Sequence, residues 1–391
     1  MKFFRHFSIP ILLFTGVVII YLYIYPNPRN WYDHYLYLGK SLIAGRVDIP
    51  NLPEFYHDKV IFDGRTYVPF PPGASILLIP FILTVKDITQ QQVSVIIGAL
   101  NISLIYFLLI KFTDKTKAVI LSIFFALGTV HFWSAVVGTT WYFAHVVSIF
   151  YLLISLILHF NQKPLFSGIF FTLASLTRLP ILLAGIFYLL SSGFKNKKIY
   201  LFILGASIFV PITLGYNYLR FGNVFENGYR NVYNQYATSS YPYTIRQVID
   251  NQKTVFGYFD IKNIPQHLYT LFIMPPDIDI KDGIINHLKP SPFGMGIVFT
   301  SPLLLLLFFQ KHKQKIERIN LITALIVAVP SLLHVMQGWV QFGYRFILDY
   351  IVFLMIVLSI NFKLTKLNLF LIFISIIVNF WGVIWAINLG W

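Results

Sequence analysis

The sequence predicts an all-α polytopic membrane protein with about eleven transmembrane helices at roughly 20 residues per span. Three observations carry that reading. Apolar residues make up 57% of the 391 and charged residues 12%, a balance outside the range of soluble domains. Apolar runs recur along the whole length. The basic residues sit in short clusters between those runs and do not line one polar face, so the net charge of +15 is assigned to membrane sidedness and anionic membrane lipids and not to nucleic acid. The chain has no cysteine, which excludes disulfides and thiolate metal sites.

The first run, Ile9 to Tyr25 within the segment 9–26, follows Lys2 and Arg5 and precedes Pro26, Pro28 and Arg29. It is long enough to span and lacks a small-residue cleavage site, so it reads as an uncleaved helix with its N-terminus inside. Next comes the first long polar interruption, 31–80, which holds five of the fifteen acidic residues, Asp33, Asp48, Glu54, Asp58 and Asp63. Within it Tyr32, Tyr35, Leu36, Leu38, Leu42 and Ile43 recur near a 3.6 period, which predicts a short amphipathic helix over 32–44 lying in the membrane interface. Asp33 falls in its first turn, where the helix dipole favours a carboxylate and water keeps it ionised, ready to act as a base or to orient a cation. The plainer reading of Asp33 is an N-terminal helix acid.

Further apolar segments lie at 92–110, 118–137, 145–160, 167–178, 180–193, 199–217, 293–309, 319–336, 347–361 and 368–388. Segments 167–178 and 180–193 read as a hairpin of shortened helices broken at Pro180. The clusters Lys2/Arg5, Lys111/Lys115/Lys117, Lys163, Lys195/Lys197/Lys198, Lys311/Lys313/Lys315/Arg318 and Lys363/Lys366 all fall on the inner side if 73–86 dips into the membrane and returns. The C-terminus is then outside. The chain is therefore read as a single integral membrane domain, 1–391, at the cell membrane. Its outer face carries a first loop, 27–72, with the interfacial helix, and a long loop, 220–292, read as an ordered cap with short helices.

Ionisable residues at membrane depth line cavities or pair with one another. Arg178, in LASLTRLPILL, is either a structural partner for a carbonyl or carboxylate or a ligand contact. Arg345 has Asp349 four residues on, which places the two on one helical face as an ion pair, against the alternative of a lipid-phosphate contact. His145 begins a helix on the outer side, as a packing residue or a site residue. Arg220 closes the span 199–217 as an interfacial anchor or a fork for phosphate. Asp277-Ile278-Asp279 has a metal-binding form, yet lies in the outer loop and reads as a loop feature. No Gly-rich phosphate loop, HExxH or nucleophile elbow is present. No cofactor is called for, and a divalent cation is allowed but not indicated.

Several segments taken in order resemble a known superfamily. They are Tyr32-Asp33-His34-Tyr35 with Ser41 to Arg46, Phe70-Pro71-Pro72-Gly73, Leu176-Thr177-Arg178-Leu179-Pro180, Arg220-Phe221-Gly222 with Glu226 to Tyr229, and Phe342-Gly343-Tyr344-Arg345-Phe346. The chain resembles the GT-C integral membrane glycosyltransferases, in particular proteins similar to family 39 protein mannosyltransferases and the aminoarabinose transferases. The resemblance implies inverting transfer of a sugar from a polyprenyl-phosphate carrier to a lipid, glycan or protein acceptor at the outer face. It matches the family's catalytic base to Asp33. The family pattern often shows Asp-Glu where this chain has Asp33-His34, which leaves Asp48 or Asp58 as candidates for a second carboxylate. Asp48, Asp58, His145, Arg178, Arg220 and Arg345 are the expected substrate-binding residues. A lipid-phosphate donor calls for a membrane groove, cations at headgroup depth and a carboxylate near water. A transporter or flippase of lipid-linked sugars is one rival, although only one broken helix, at 178–180, is visible and inverted repeats would show two. An oligosaccharide polymerase or ligase is the other.

Overall fold

The computed structural model describes residues 2–25, 31–193, 197–229, 231–232, 259–281 and 284–390. It is mostly helical, in keeping with a polytopic membrane protein. In chain order the helices are α1 (Lys2–Ile24), α2 (His34–Ile43), α3 (Gly73–Thr84), α4 (Gln90–Leu109), α5 (Lys115–Leu127), α6 (Val130–Val137), α7 (Thr140–Phe160), α8 (Pro164–Ser175) and α9 (Gly185–Ser192). They continue with α10 (Lys198–Ser207), α11 (Phe209–Phe221), α12 (Ile264–Phe272), α13 (Ile297–Thr300), α14 (Leu306–Phe309), α15 (Lys315–Leu333), α16 (Ile351–Asn361) and α17 (Lys366–Leu389). Three two-stranded ladders accompany them: β1 (Val60–Phe62) with β2 (Arg65–Tyr67), β3 (Asp277–Lys281) with β4 (Ile284–Lys289), and β5 (Phe293–Met295) parallel to β6 (Gln341–Gly343).

Six helical stretches among the described residues are long and apolar enough to cross a membrane: Phe7–Ile24, Gln90–Leu109, Thr140–Phe160, Lys198–Phe221, Lys315–Leu333 and Lys366–Leu389. A seventh is counted if α5 and α6, bent by 54° at their junction, form one span. The expected count of about eleven is thus not reached by length. The remaining apolar segments end early where the sequence breaks them. Helix α8 has 12 residues, about 18 Å at 1.5 Å per residue, against a hydrocarbon core of ~30 Å. The 293–309 run divides into α13, a 3₁₀ turn opening at Pro302, and α14. Helix α3 also has 12 residues, with Pro80 inside it.

Backbone polar groups at depth must be satisfied within the bundle. Pro10 inside α1 removes one helix donor, and the Ser103 hydroxyl of α4 donates to the Pro10 carbonyl at 2.7 Å. Tyr21 Oη donates to the Ala126 carbonyl at 2.9 Å, and Asn101 Nδ2 to the Val146 carbonyl at 2.9 Å. Helices α8 and α10 approach at Gly168 and Gly205, where a Cβ would lie 2.2 Å from Phe202 O and 2.3 Å from Leu165 O. Small residues permit close backbone approach where lipid gives no hydrophobic drive for helix association.

The 220–292 segment supplies α12 and the β3–β4 hairpin among its described residues; residues 233–258 lie outside them. Asp277 and Asp279 stand in β3 opposite Lys289 and His287, so this Asp-x-Asp is part of a strand pair and not of an irregular loop.

Candidate functional site

The site is built where the chain leaves α1. Tyr32 takes φ 58°, a left-handed conformation that is uncommon and costly for an aromatic residue. The backbone of α7 holds it there. Thr140 N–H donates to Tyr32 O at 3.0 Å, and the Thr140 hydroxyl bonds to the same carbonyl. His34 N–H donates to Thr140 Oγ1 at 3.1 Å, with His34 Nδ1 2.9 Å from that oxygen. His34 Nε2 lies 2.7 Å from the His57 carbonyl, so Nε2 carries the hydrogen. Burial pulls the His34 pKa down to about 4, which keeps the ring neutral. The Tyr32 ring lies nearly parallel to His34 and His57, at centroid distances of 6.1 and 5.5 Å, and 4.9 Å from Trp141.

This turn sets Asp33 as the residue that precedes α2, without a side-chain cap bond. The expected exposed, ionised carboxylate in the first helical turn is corrected here. Asp33 is 4% exposed, because the 53–58 loop folds back over the start of α2 and the Asp33 N–H donates to Tyr56 Oη at 3.1 Å. Burial pushes its pKa up to about 7, against the pull of the Gln90 backbone N–H at the start of α4 and of the Lys40 charge. A carboxyl in that range exchanges a proton near neutral pH.

Asp58, also left-handed at φ 55°, accepts a 2.5 Å hydrogen bond from Trp141 Nε1. Burial raises its pKa to about 6, opposed by that bond and by the charge of Arg345. Asp48 is engaged elsewhere. It pairs with Arg46 at 2.5 Å, and the Arg46 hydrogen bond holds its carboxyl below the usual range.

A second cluster joins α7, the α8–α9 break and the turn before α16. Asp349 accepts from Arg178 Nε at 3.0 Å and Nη2 at 2.7 Å, and His145 Nδ1 lies 3.0 Å from its other side at Oδ1. The expected Arg345–Asp349 pair is therefore replaced by Arg178–Asp349. Residues Arg345–Asp349 form a 3₁₀ helix, and at three residues per turn positions i and i+4 no longer share a face. Arg345 lies instead over the rings of Tyr142 and Phe346, at 5.4 and 5.3 Å. Among the described residues no carboxylate forms an ion pair with it.

Arg220 is not brought to these clusters by its donors. Its Nη1 donates to Val68 O at 2.6 Å and its Nη2 to Asn217 Oδ1 at 2.8 Å, and it stacks 4.0 Å over Tyr216. It anchors the chain between β2 and α3. Tyr216 Oη donates to the neighbouring Phe70 carbonyl at 3.4 Å. Gly73 N–H donates to Leu176 O at 2.9 Å, and a Cβ on Gly73 would lie 2.4 Å from Thr177 Oγ1. Three sequence segments, 70–73, 176–180 and 220–222, thus meet on one stretch of backbone beside Arg178.

Sequence reasoning missed Trp141, Tyr56, Thr140, Gln90 and the role of Asp349. None of these carries a local signal, since each acts on a residue at least 23 positions away. Among the described residues no three His, Asp or Glu side chains converge on a metal position.

No family model matches the sequence, and no curated protein matches it. Solved structures do. The archaeal oligosaccharyltransferase AglB from Archaeoglobus fulgidus, in complex with an inhibitory peptide and a dolichol-phosphate, is similar with a TM-score of 0.51 at 15% identity, over 99% of this chain and 56% of that one. The apo form of the Archaeoglobus fulgidus oligosaccharyltransferase is similar with a TM-score of 0.49 at 16% identity, over 96% of this chain and 55% of that one. What is shared is the fold. This chain spans a little over half the length of those proteins. The likeness is one of fold alone, and the narrower likeness to family 39 and aminoarabinose transferases is not reached.

Proposed function

We propose that the chain is a membrane glycosyltransferase that moves a sugar from a polyprenyl-phosphate-linked donor to an acceptor at the outer face, with inversion and with Asp33 as base. The observation that carries the reading is Asp33 itself: a buried carboxyl with a pKa of about 7, directly after the first membrane helix. Beyond it the rings of Tyr32 and Trp141 lead to Asp58 and to Arg345. A structure of the same fold holds a dolichol-phosphate, which is in keeping with a lipid-phosphate donor. In the transfer an acceptor oxygen attacks the anomeric carbon and gives its proton to the carboxylate. The bond from that carbon to the phosphate oxygen breaks, and the electron pair leaves on the phosphate toward fixed positive charge. A second assignment of the base, Asp58, is favoured by one observation: its carboxylate is the one that the charge of Arg345 reaches.

Purified protein given radiolabelled polyprenyl-phosphate sugars and extracted membrane acceptors tests the activity. Sugar release that needs neither acceptor nor Asp33 or Asp58 would sink the reading. Arg345, with no carboxylate paired to it among the described residues, is the stronger phosphate ligand. Arg345→Gln is expected to weaken donor binding by roughly 1.5–3 kcal/mol, tenfold or more, with little change in melting temperature. Arg220→Gln is expected to do the reverse, lowering stability through the Val68 anchor with donor affinity unchanged. Sidedness is tested on a chain that has no background cysteine: Glu54→Cys should react with an impermeant thiol reagent in intact cells, and Lys363→Cys should not.

A further inference from the structure

A cavity of about 480 Å³ opens between α9 and the start of α15, lined by Leu189, Leu190, Gly193, Lys315, Ile319 and Ile322, with Arg318 at its rim. Its walls are apolar apart from two cations. The single acid of this turn does not neutralise them. Glu317 is 1% exposed and is turned into the bundle, accepting from Gln314 N–H at 2.8 Å and from Asn361 Nδ2, with His312 Nδ1 3.4 Å away. Among the described residues neither Lys315 nor Arg318 forms an ion pair. The cavity also lies at the basic end of the bundle, since Lys197 and Lys198 open α10 and α15 follows Lys311 and Lys313. None of the Asp33 or Asp349 clusters contributes to it.

We propose that this cavity seats one anionic phospholipid of the leaflet at the basic end, its phosphate between Lys315 and Arg318 and an acyl chain against Leu189, Leu190, Ile319 and Ile322. The chemistry is that of a groove with apolar walls and a cationic lip. Paired cations at headgroup depth select an anionic headgroup, and the walls select a chain, so that free phosphate lacks half of the contacts. The site is independent of the glycosyltransferase reading.

The test is native mass spectrometry of full-length protein released from nanodiscs of equal parts phosphatidylglycerol and phosphatidylcholine. Wild type is expected to retain one phosphatidylglycerol. The Lys315→Gln/Arg318→Gln variant, altered only at exposed side chains, is expected to retain about tenfold less or lower still. Ile322→Trp, which fills the apolar wall and keeps both charges, is expected to lose the lipid as well. A Lys363→Gln/Lys366→Gln variant removes the same charge at the same end and is expected to keep it. Equal loss from that control, retention in both cavity variants, or equal retention of phosphatidylcholine would each overturn the proposal.

Discussion

Asp33→Asn is expected to lower sugar transfer by ~10²–10⁴-fold, the usual contribution of a general base, while leaving a folded protein that is more stable than wild type at alkaline pH. The sign follows from the pKa. The carboxyl titrates at about 7 in the folded chain against an ordinary 3.8, so the folded state holds this proton more tightly than the unfolded state. Stability is then lost as pH rises from about 4 to about 7, and above that the full cost of a buried charge stands, at most about 4 kcal/mol for roughly three units. Asparagine keeps the shape and removes the charge. Its advantage in melting temperature should be present at pH 8 and vanish below about pH 4. Wild-type transfer should rise with pH through a midpoint near 7. Asp58→Asn is the decisive comparator: if it abolishes transfer while Asp33→Asn does not, the base is Asp58 and the Arg345 field selects it.

The outline of the molecule was legible because it depends on local properties. Apolar runs and prolines mark where the helices begin and break, and α2 and the α8–α9 break at Arg178 and Pro180 both follow from neighbours in sequence. The contents of the site depend on distant ones. Asp33 reads as exposed from its own segment, and only Tyr56 and the start of α4 bury it. Arg345 and Asp349 read as a pair under the α-helical rule, but the 3₁₀ geometry separates them. Asp349 then finds Arg178, 171 positions away, a distance over which no periodicity carries information. The count of about eleven spans is not confirmed for a related reason: hydropathy marks a segment as apolar, but the backbone decides whether it runs straight for ~30 Å.

Asp349→Asn is expected to cost about 3–5 kcal/mol, the range for removing one partner of a buried ion pair, and so to lower the melting temperature in detergent more than any other single change at the site. The carboxylate is fully buried, holds Arg178 through two parallel hydrogen bonds and lies against His145, so the substitution leaves a guanidinium without its counter-charge. Arg178→Met combined with Asp349→Leu removes both charges and should recover most of the loss, since apolar replacement of such a pair is often neutral. A double-mutant cycle measures the coupling directly. The cycle also separates two roles for Arg178. Nε and one Nη2 hydrogen point at Asp349, which fixes the guanidinium plane, and among the described residues Nη1 has no hydrogen-bond acceptor, so a phosphate could meet that edge. If Arg178 only braces the bundle, the double variant regains both stability and donor affinity. If it also holds the donor, stability returns while donor affinity stays reduced by tenfold or more, about the loss of one charge-assisted hydrogen bond. A melting temperature for Asp349→Asn within a degree of wild type would show that the pair does not stabilise the fold.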